Sequence, residues 1–67
     1  MRLWLKEQRK KAGLSSKEIA IACGVSYTHY NFIESGKRRP SPELAKKLAK
    51  LIGFDWQLFF EDENKAG

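Results

Sequence analysis

The chain has 67 residues, 42% of them apolar, and carries 13 Lys and Arg against eight Asp and Glu, for a net charge of +5. A chain this short forms one small globular domain with a thin core, because it buries only about 60% of its unfolded surface. No apolar run approaches the roughly 20 residues of a membrane span, and the apolar N-terminal segment is too short for a signal peptide. With one Cys and one His, the chain by itself can form neither a disulfide framework nor a multi-ligand metal site, so we expect no metal, no cofactor and a reducing cytoplasmic location.

The charge is unevenly distributed along the chain. Residues 1–60 hold every Lys and Arg except Lys65 and five of the eight acidic residues, a balance of +7, whereas residues 61–67 carry −2. Such a body favours a polyanionic partner, either nucleic acid or an acidic membrane surface. We predict one domain over residues 1–60 and a short polar, acidic tail over residues 61–67 that frays.

Apolar residues recur at helical spacing between the glycines, which predicts an all-α fold of five short helices. The start signals are a capping box from Ser15 to Glu18, a serine cap at Ser26, and the run Ser41-Pro42-Glu43. The predicted limits, including the serine caps of the second, third and fourth helices, are residues 3–11, 15–23, 26–35, 41–52 and 56–60. Asp55 is expected to cap the last of these helices.

Residues 16–35 have the pattern of a helix-turn-helix. Ala20 is small where two helices must cross closely, and Gly24 lies where the chain turns sharply. A Cβ at the turn or a bulky group at the crossing would displace the following helix. The apolar residues that seal the pair are Ile19, Cys23, Val25, Tyr30 and Ile33.

On these residues the chain resembles the phage-repressor/Cro-like helix-turn-helix family, also called the xenobiotic-response-element family. The resemblance covers about residues 3–60. The matching segments are Arg9, Gly13-Leu14-Ser15, Glu18-Ile19-Ala20, Gly24-Val25-Ser26, the run from Ile33 to Ser41, and the run from Leu48 to Gly53. The resemblance implies a compact, five-helix, lambda-repressor-like DNA-binding domain with the third helix in the major groove.

The resemblance also implies particular site residues. The implied base contacts lie on the outer stripe of the third helix: Tyr27, Thr28, Asn31 and Phe32. The implied phosphate contacts lie at the start of the second helix and around the basic loop: Ser16, Ser35, Lys37, Arg38 and Arg39. Arg9 and Glu34 match a pair that ties the first helix to the third. The chemistry agrees, since Asn reads adenine through two hydrogen bonds and clustered cations neutralise phosphates without reading sequence.

The outer stripe departs from the family pattern in its aromatic content. Tyr27 and Phe32 stand where polar or basic residues are common, and Ser16 stands where the family often has the longer Gln. Phe32 could contact thymine methyl groups, or this face could bind a protein instead.

Several other residues favour structural roles. Cys23 and His29 are expected to pack inside the domain, and Leu58, which has no obvious core partner, is the candidate dimer contact. The aromatic residues predicted for the core are Trp4, Trp56, Phe59 and Phe60. The lysines predicted for a solvated face of the fourth helix are Lys46, Lys47 and Lys50.

The leading hypothesis is a sequence-specific, double-stranded-DNA-binding transcriptional regulator, a repressor, that acts as a homodimer on a palindromic operator. The alternative from another class is a protein-interaction module on the same fold, an antirepressor-like or antitoxin-like partner. The chain offers neither a nucleophile–base set nor a phosphate-binding glycine loop, which argues against an enzyme. Its cations cluster in a loop and not along one amphipathic helix, which argues against a membrane-surface role.

Overall fold

The computed structural model describes residues 1–61. Within this range the chain forms helices α1 (Leu3–Lys11), α2 (Ser16–Cys23), α3 (Tyr27–Ser35) and α4 (Pro42–Ile52), followed by one helical turn, α5, over residues 58–61. No strand occurs in these residues. The predicted all-α, five-helix fold is confirmed, and its helix-turn-helix spans residues 16–35. Most of the predicted acidic tail, residues 62–67, lies outside the described residues.

Serine caps set the starts of three helices. The helices α2, α3 and α4 begin directly after Ser15, Ser26 and Ser41, whose hydroxyls each accept a hydrogen bond from the amide three residues later, at 3.0–3.2 Å. At α2 the capping box is complete, because the Glu18 carboxylate accepts the backbone amide of Ser15 at 3.0 Å. That hydrogen bond lowers the pKa of Glu18. The local sequence therefore determines where these helices begin.

The turn between α2 and α3 consists of residues 24–26. Gly24 adopts the left-handed conformation, with φ of 71°, and this allows the amide of Val25 to reach the carbonyl of Ala20 at 3.0 Å. Only glycine takes this conformation without steric cost. Ala20 itself is buried, and α2 packs against α3. The turn thus sets the position of α3 on the domain.

The core lies where α2, α3 and α4 meet α1 and the C-terminal turn. Its buried residues are Leu5, Ile19, Ala20, Cys23, Tyr30, Ile33, Leu44, Ala45, Leu48, Ile52 and Phe59. The rings of Trp4, Phe54 and Phe59 meet edge to face, with centroids 5.0–5.7 Å apart, and close the core beside α1. Cys23 is a buried free thiol, as predicted, and burial raises its pKa. No helix within residues 1–61 is long and apolar enough to cross a bilayer.

The C-terminal segment departs from the prediction at two points. The regular helix begins at residue 58 and not at 56, because residues 55–58 form a turn in which the Leu58 amide donates to the Asp55 carbonyl at 3.0 Å. The Asp55 carboxylate accepts the Gln57 amide at 3.0 Å, which is the kind of hydrogen bond expected of a capping residue. The prediction of Phe60 in the core is wrong, since its ring is 45% exposed. Neighbouring residues on a helix point about 100° apart, so a turn that buries Phe59 directs Phe60 outward.

Candidate nucleic-acid interface

Helix α3 divides its residues between a buried face and an exposed face. Tyr30 and Ile33 are fully buried in the core, and His29, which was expected to pack inside, is half-buried at the boundary. The opposite face carries the four predicted base-contact residues, exposed except for the half-buried Asn31: Tyr27, Thr28, Asn31 and Phe32. We call these four residues the α3 face. An exposed stripe on a helix whose other side is fixed in a core is a rigid surface for recognition.

The basic loop after α3, residues 36–39, lies against the α3 face. The Lys37 ammonium nitrogen is 5.8 Å from the centroid of the Phe32 ring. The backbone amide of Arg38 donates to the carbonyl of Phe32 at 3.0 Å, which folds the loop back onto the end of the helix. Lys37, Arg38 and Arg39 are all exposed. The Lys37 cation and the backbone of the loop at Arg38 therefore border the face that carries Phe32.

A second group of polar residues borders the other end of the α3 face. Tyr27 and Ser16 line one open depression, of about 550 Å³, together with Arg9, Ser15 and Lys17. Ser16 is the first residue of α2, so it lies at the positive end of that helix dipole, where anions are favoured. The predicted phosphate contact at Ser16 is thus adjacent to the predicted base contact at Tyr27.

Ser35 is engaged within its own helix. Its hydroxyl donates to the carbonyl of Phe32 at 3.1 Å. A serine has one hydroxyl proton, so donation to a DNA phosphate would require this hydroxyl to rotate away from Phe32. Ser35 is the predicted phosphate contact that the geometry favours least.

Arg9 and Glu34 join α1 to α3. The Nε atom of Arg9 is 2.8 Å from the Glu34 Oε1 atom, and both side chains are largely buried. Arg9 also donates to the carbonyl of Leu14 at 3.0 Å, and the Tyr30 hydroxyl donates to the same Glu34 oxygen at 3.2 Å. The hydrogen bond to Glu34 raises the pKa of Arg9, and burial, followed by the Glu34 charge, raises the pKa of Tyr30. This charged cluster holds the C-terminal half of α3 against α1 on the buried side of the helix.

Arg2 is a site-forming residue that the sequence analysis missed. It is 5% exposed, and its guanidinium donates to the carbonyls of Ile33 and Arg38, while its backbone amide donates to the carbonyl of Glu34 at 2.8 Å. Arg2 therefore connects the last turn of α3 to the basic loop. No local pattern marks such a residue, because its side-chain acceptors lie 31 and 36 positions along the chain.

Leu58, the predicted dimer contact, lies at the C-terminal end of the described chain. Its side chain is half-buried, beside the half-buried Trp56. The Phe60 ring contacts Trp56 with centroids 5.1 Å apart, and the Lys46 ammonium nitrogen lies 4.9 Å from the Trp56 ring centroid. These apolar side chains lie at the C-terminal turn, beside Lys46 of α4.

The chain belongs to the Cro/C1-type helix-turn-helix family, a family of DNA-binding transcriptional regulators. The helix-turn-helix family model matches residues 5–59, from α1 into α5. This match includes every predicted DNA-contact residue.

The curated relatives of the chain agree with this family. An uncharacterized HTH-type transcriptional regulator, YqaF, of Bacillus subtilis (strain 168) is 44% identical over 62 residues, which are 92% of this chain and 82% of that protein. An uncharacterized HTH-type transcriptional regulator of Methanothermobacter thermautotrophicus is 34% identical over 98% of this chain and 99% of its own. The ImmF control region 10 kDa protein of Bacillus phage phi105 is 37% identical over 76% of this chain and 57% of its own. No solved structure matches the chain.

Proposed function

We propose that this protein is a sequence-specific transcriptional repressor in the cytoplasm that binds double-stranded DNA as a homodimer, with no catalytic activity and no cofactor. The observation that carries the proposal is the position of the basic loop beside the α3 face, with the Lys37 ammonium 5.8 Å from the Phe32 ring. Phosphate-binding and base-reading groups must be adjacent for a helix to enter a groove and be held there. The names of the relatives, regulators and a phage control region protein, support the same class.

In this proposal the polar groups at the two ends of the α3 face bind the DNA phosphates on either side of the major groove. Lys37, Arg38 and Arg39 bind phosphates at one end, and Ser16 at the start of α2 binds a phosphate at the other. Nine residues of α3 rise about 13 Å, comparable to the roughly 12 Å width of the groove. The contacts are electrostatic and independent of sequence, so they set the register of the helix on the duplex.

The bases are then read by residues of the α3 face, which lie between the two sets of phosphate contacts. Asn31 offers an amide that both donates to and accepts from adenine, and the Thr28 methyl suits a thymine methyl. The homodimer places two α3 helices on half-sites about 34 Å apart, one helical turn, with Leu58 in the dimer contact. A repressor of this kind acts by occupying its operator.

Selection of bound DNA from a random pool, at two salt concentrations, tests the proposal. We expect a palindromic consensus whose affinity falls steeply as salt rises. Arg38→Ala should weaken binding to all sequences alike and reduce the salt slope by about 1, whereas Asn31→Ala should cost about 1–3 kcal/mol and relax the preference at one position. Lys50→Ala, which removes an exposed cation from α4, is the matched control and should change little. Binding that ignores both sequence and salt would refute the proposal.

A second function is favoured by the aromatic content of the α3 face. Tyr27 is 52% exposed and Phe32 is 42% exposed, so two aromatic rings stand on one face of the helix, and aromatic residues are enriched in protein interfaces. An antirepressor-like or antitoxin-like protein that binds a partner would use these rings as anchors. A stoichiometric partner that dissociates on Phe32→Ala, in the absence of any selected DNA, would favour this function over the first.

A further inference from the structure

We propose that Phe32 recognises the 5-methyl group of thymine and that Lys37 holds its ring in position for that contact; the inference rests on the proposed function, in which α3 enters the major groove. Phe32 is thus a specificity-determining residue of the α3 face. Lys37 is a positioning residue as well as a phosphate contact.

The chemistry of the ring restricts what it can read. A phenyl ring has no hydrogen-bond donor or acceptor, and the base edges in the major groove present donors, acceptors and one methyl group, that of thymine. A ring that is 42% exposed in the free protein loses contact with water when the helix enters the groove. A phenyl ring placed against an amino or carbonyl group of a base would displace the water bound to that group and offer no hydrogen bond in return, which costs free energy. Against a methyl group no hydrogen bond is lost, because both groups are apolar. The ring therefore selects for a pyrimidine that carries a methyl group at C5.

Three contacts fix where Phe32 lies. Its carbonyl accepts hydrogen bonds from the Arg38 amide at 3.0 Å and from the Ser35 hydroxyl at 3.1 Å, so the basic loop holds its backbone. The Lys37 ammonium lies 5.8 Å from the ring centroid, within the range of a cation–π contact. The loop thus holds both the backbone and the ring of Phe32. Phosphate contacts made by the loop consequently fix the ring at one base step.

Thr28 extends the same apolar strip. It lies four residues before Phe32, one turn away on the exposed side of α3, so the two residues are neighbours on that side of the helix. Asn31, between them in sequence, supplies the polar contact. The arrangement predicts a thymine-containing step next to the adenine that Asn31 reads.

The test removes one methyl group at a time. In the selected operator each thymine is replaced singly by uracil, which lacks only the 5-methyl group, and binding is measured by fluorescence anisotropy. We expect one position in each half-site where uracil weakens binding about four-fold, the change that burial of one methyl-sized group gives. At that position 5-methylcytosine should bind more tightly than cytosine by a similar factor.

Variants assign the effect to these two residues. Phe32→Ala should equalise thymine and uracil at that position and equalise 5-methylcytosine and cytosine. Leu51→Ala, the matched loss of an exposed apolar side chain from α4, should leave both ratios unchanged. Lys37→Met should lower all affinities and also narrow the thymine-to-uracil ratio, and Lys37→Arg should restore that ratio. Circular dichroism and thermal unfolding check that each variant is folded.

The outcomes separate the inference from the function on which it rests. A protein that selects an operator yet binds its thymine and uracil forms equally at every position overturns the inference and leaves the proposed function intact. A methyl effect that survives Phe32→Ala also overturns it. Failure to select any sequence refutes the proposed function itself.

Discussion

The two ends of α3 are held by different kinds of contact. At the N-terminal end, the Ser26 hydroxyl accepts the His29 amide at 3.0 Å, a bond between residues three positions apart. At the C-terminal end, Arg2 and Arg9 reach the helix from α1 and the segment before it, and their partners on α3 include Glu34. One end is capped by its own sequence, and the other is held by the tertiary fold.

This difference agrees with the role of each end of α3 in the proposed DNA binding. The C-terminal end carries the basic loop, whose cations, in the proposed function, must stay in register with the α3 face while they bind phosphates. The negative end of the α3 dipole favours the loop cations, whereas those cations repel one another. The hydrogen bonds from Arg2 to the carbonyls of Ile33 and Arg38 fix the backbone that carries them. Contacts from a distant segment make the loop part of the rigid domain. The variants below break one end or the other.

The largest effect is expected for Glu34→Ala. It removes the partner of the largely buried Arg9 and the acceptor of the Tyr30 hydroxyl, so the free energy of unfolding should fall by about 3 kcal/mol. Urea denaturation at pH 7 measures the change. Glu7→Ala, which removes an exposed carboxylate from α1, is the control and should stay within about 0.5 kcal/mol of the wild type. Equal losses in the two variants would contradict a special role for the C-terminal cluster.

Arg2→Met should lower the free energy of unfolding by about 2 kcal/mol, since it removes charged hydrogen bonds to two carbonyls while keeping an apolar side chain of similar length. Hydrogen exchange locates the damage. The Arg38 amide, which donates to the Phe32 carbonyl, should exchange faster than the loss of global stability alone explains. The exchange rate of the His29 amide, at the other end of α3, should rise no more than the change in the free energy of unfolding requires. Uniform acceleration along α3 would mean that Arg2 does not act on the loop in particular.

Tyr30→Phe should cost about 1.5 kcal/mol at neutral pH, because it removes the hydrogen bond to Glu34. Burial raises the pKa of Tyr30 above its ordinary value of 10.0. The folded state therefore keeps the phenol protonated, and this contribution is complete below pH 10 and is lost above it, where the unfolded phenol ionises first. The stability difference between wild type and variant should shrink as pH rises above 10. A difference that stays constant to pH 11 would show that Tyr30 titrates alike in both states.

The smallest effect is expected for Ser26→Ala, at about 1 kcal/mol, the ordinary cost of a lost serine cap. The His29 amide should exchange faster and the Arg38 amide should not, the reverse of the Arg2 variant. Ser26→Asp, which supplies another capping oxygen, should retain most of the stability. If alanine and aspartate behave alike, the hydroxyl bond does not hold this end of α3.

Much of the fold could be predicted from the sequence because its signals are local. The serines that cap α2, α3 and α4, Gly24 at the turn, and the buried Tyr30 and Ile33 each follow from residues a few positions apart, and all are present in the structure. His29, which was expected inside, is half-buried. The other errors fell at the C-terminal end, where the regular helix begins two residues later than predicted and Phe60 points outward. A single helical turn is too short for periodicity to say which of two adjacent aromatic residues faces the core.

In the candidate site, too, some features follow from local sequence and others depend on tertiary contacts. By itself the sequence determined which residues α3 exposes and that three cations follow it, since both depend on helical period and chain order. Only the tertiary structure decided that Lys37 lies over the Phe32 ring and that Arg2 binds the carbonyls at Ile33 and Arg38. The Arg2 contacts join residues more than 30 positions apart, so they depend on how the helices pack. The Lys37 contact joins residues five positions apart and depends on how the loop folds back onto the end of α3, through the Arg38 amide on the Phe32 carbonyl. No repeat or cap in the chain records either arrangement.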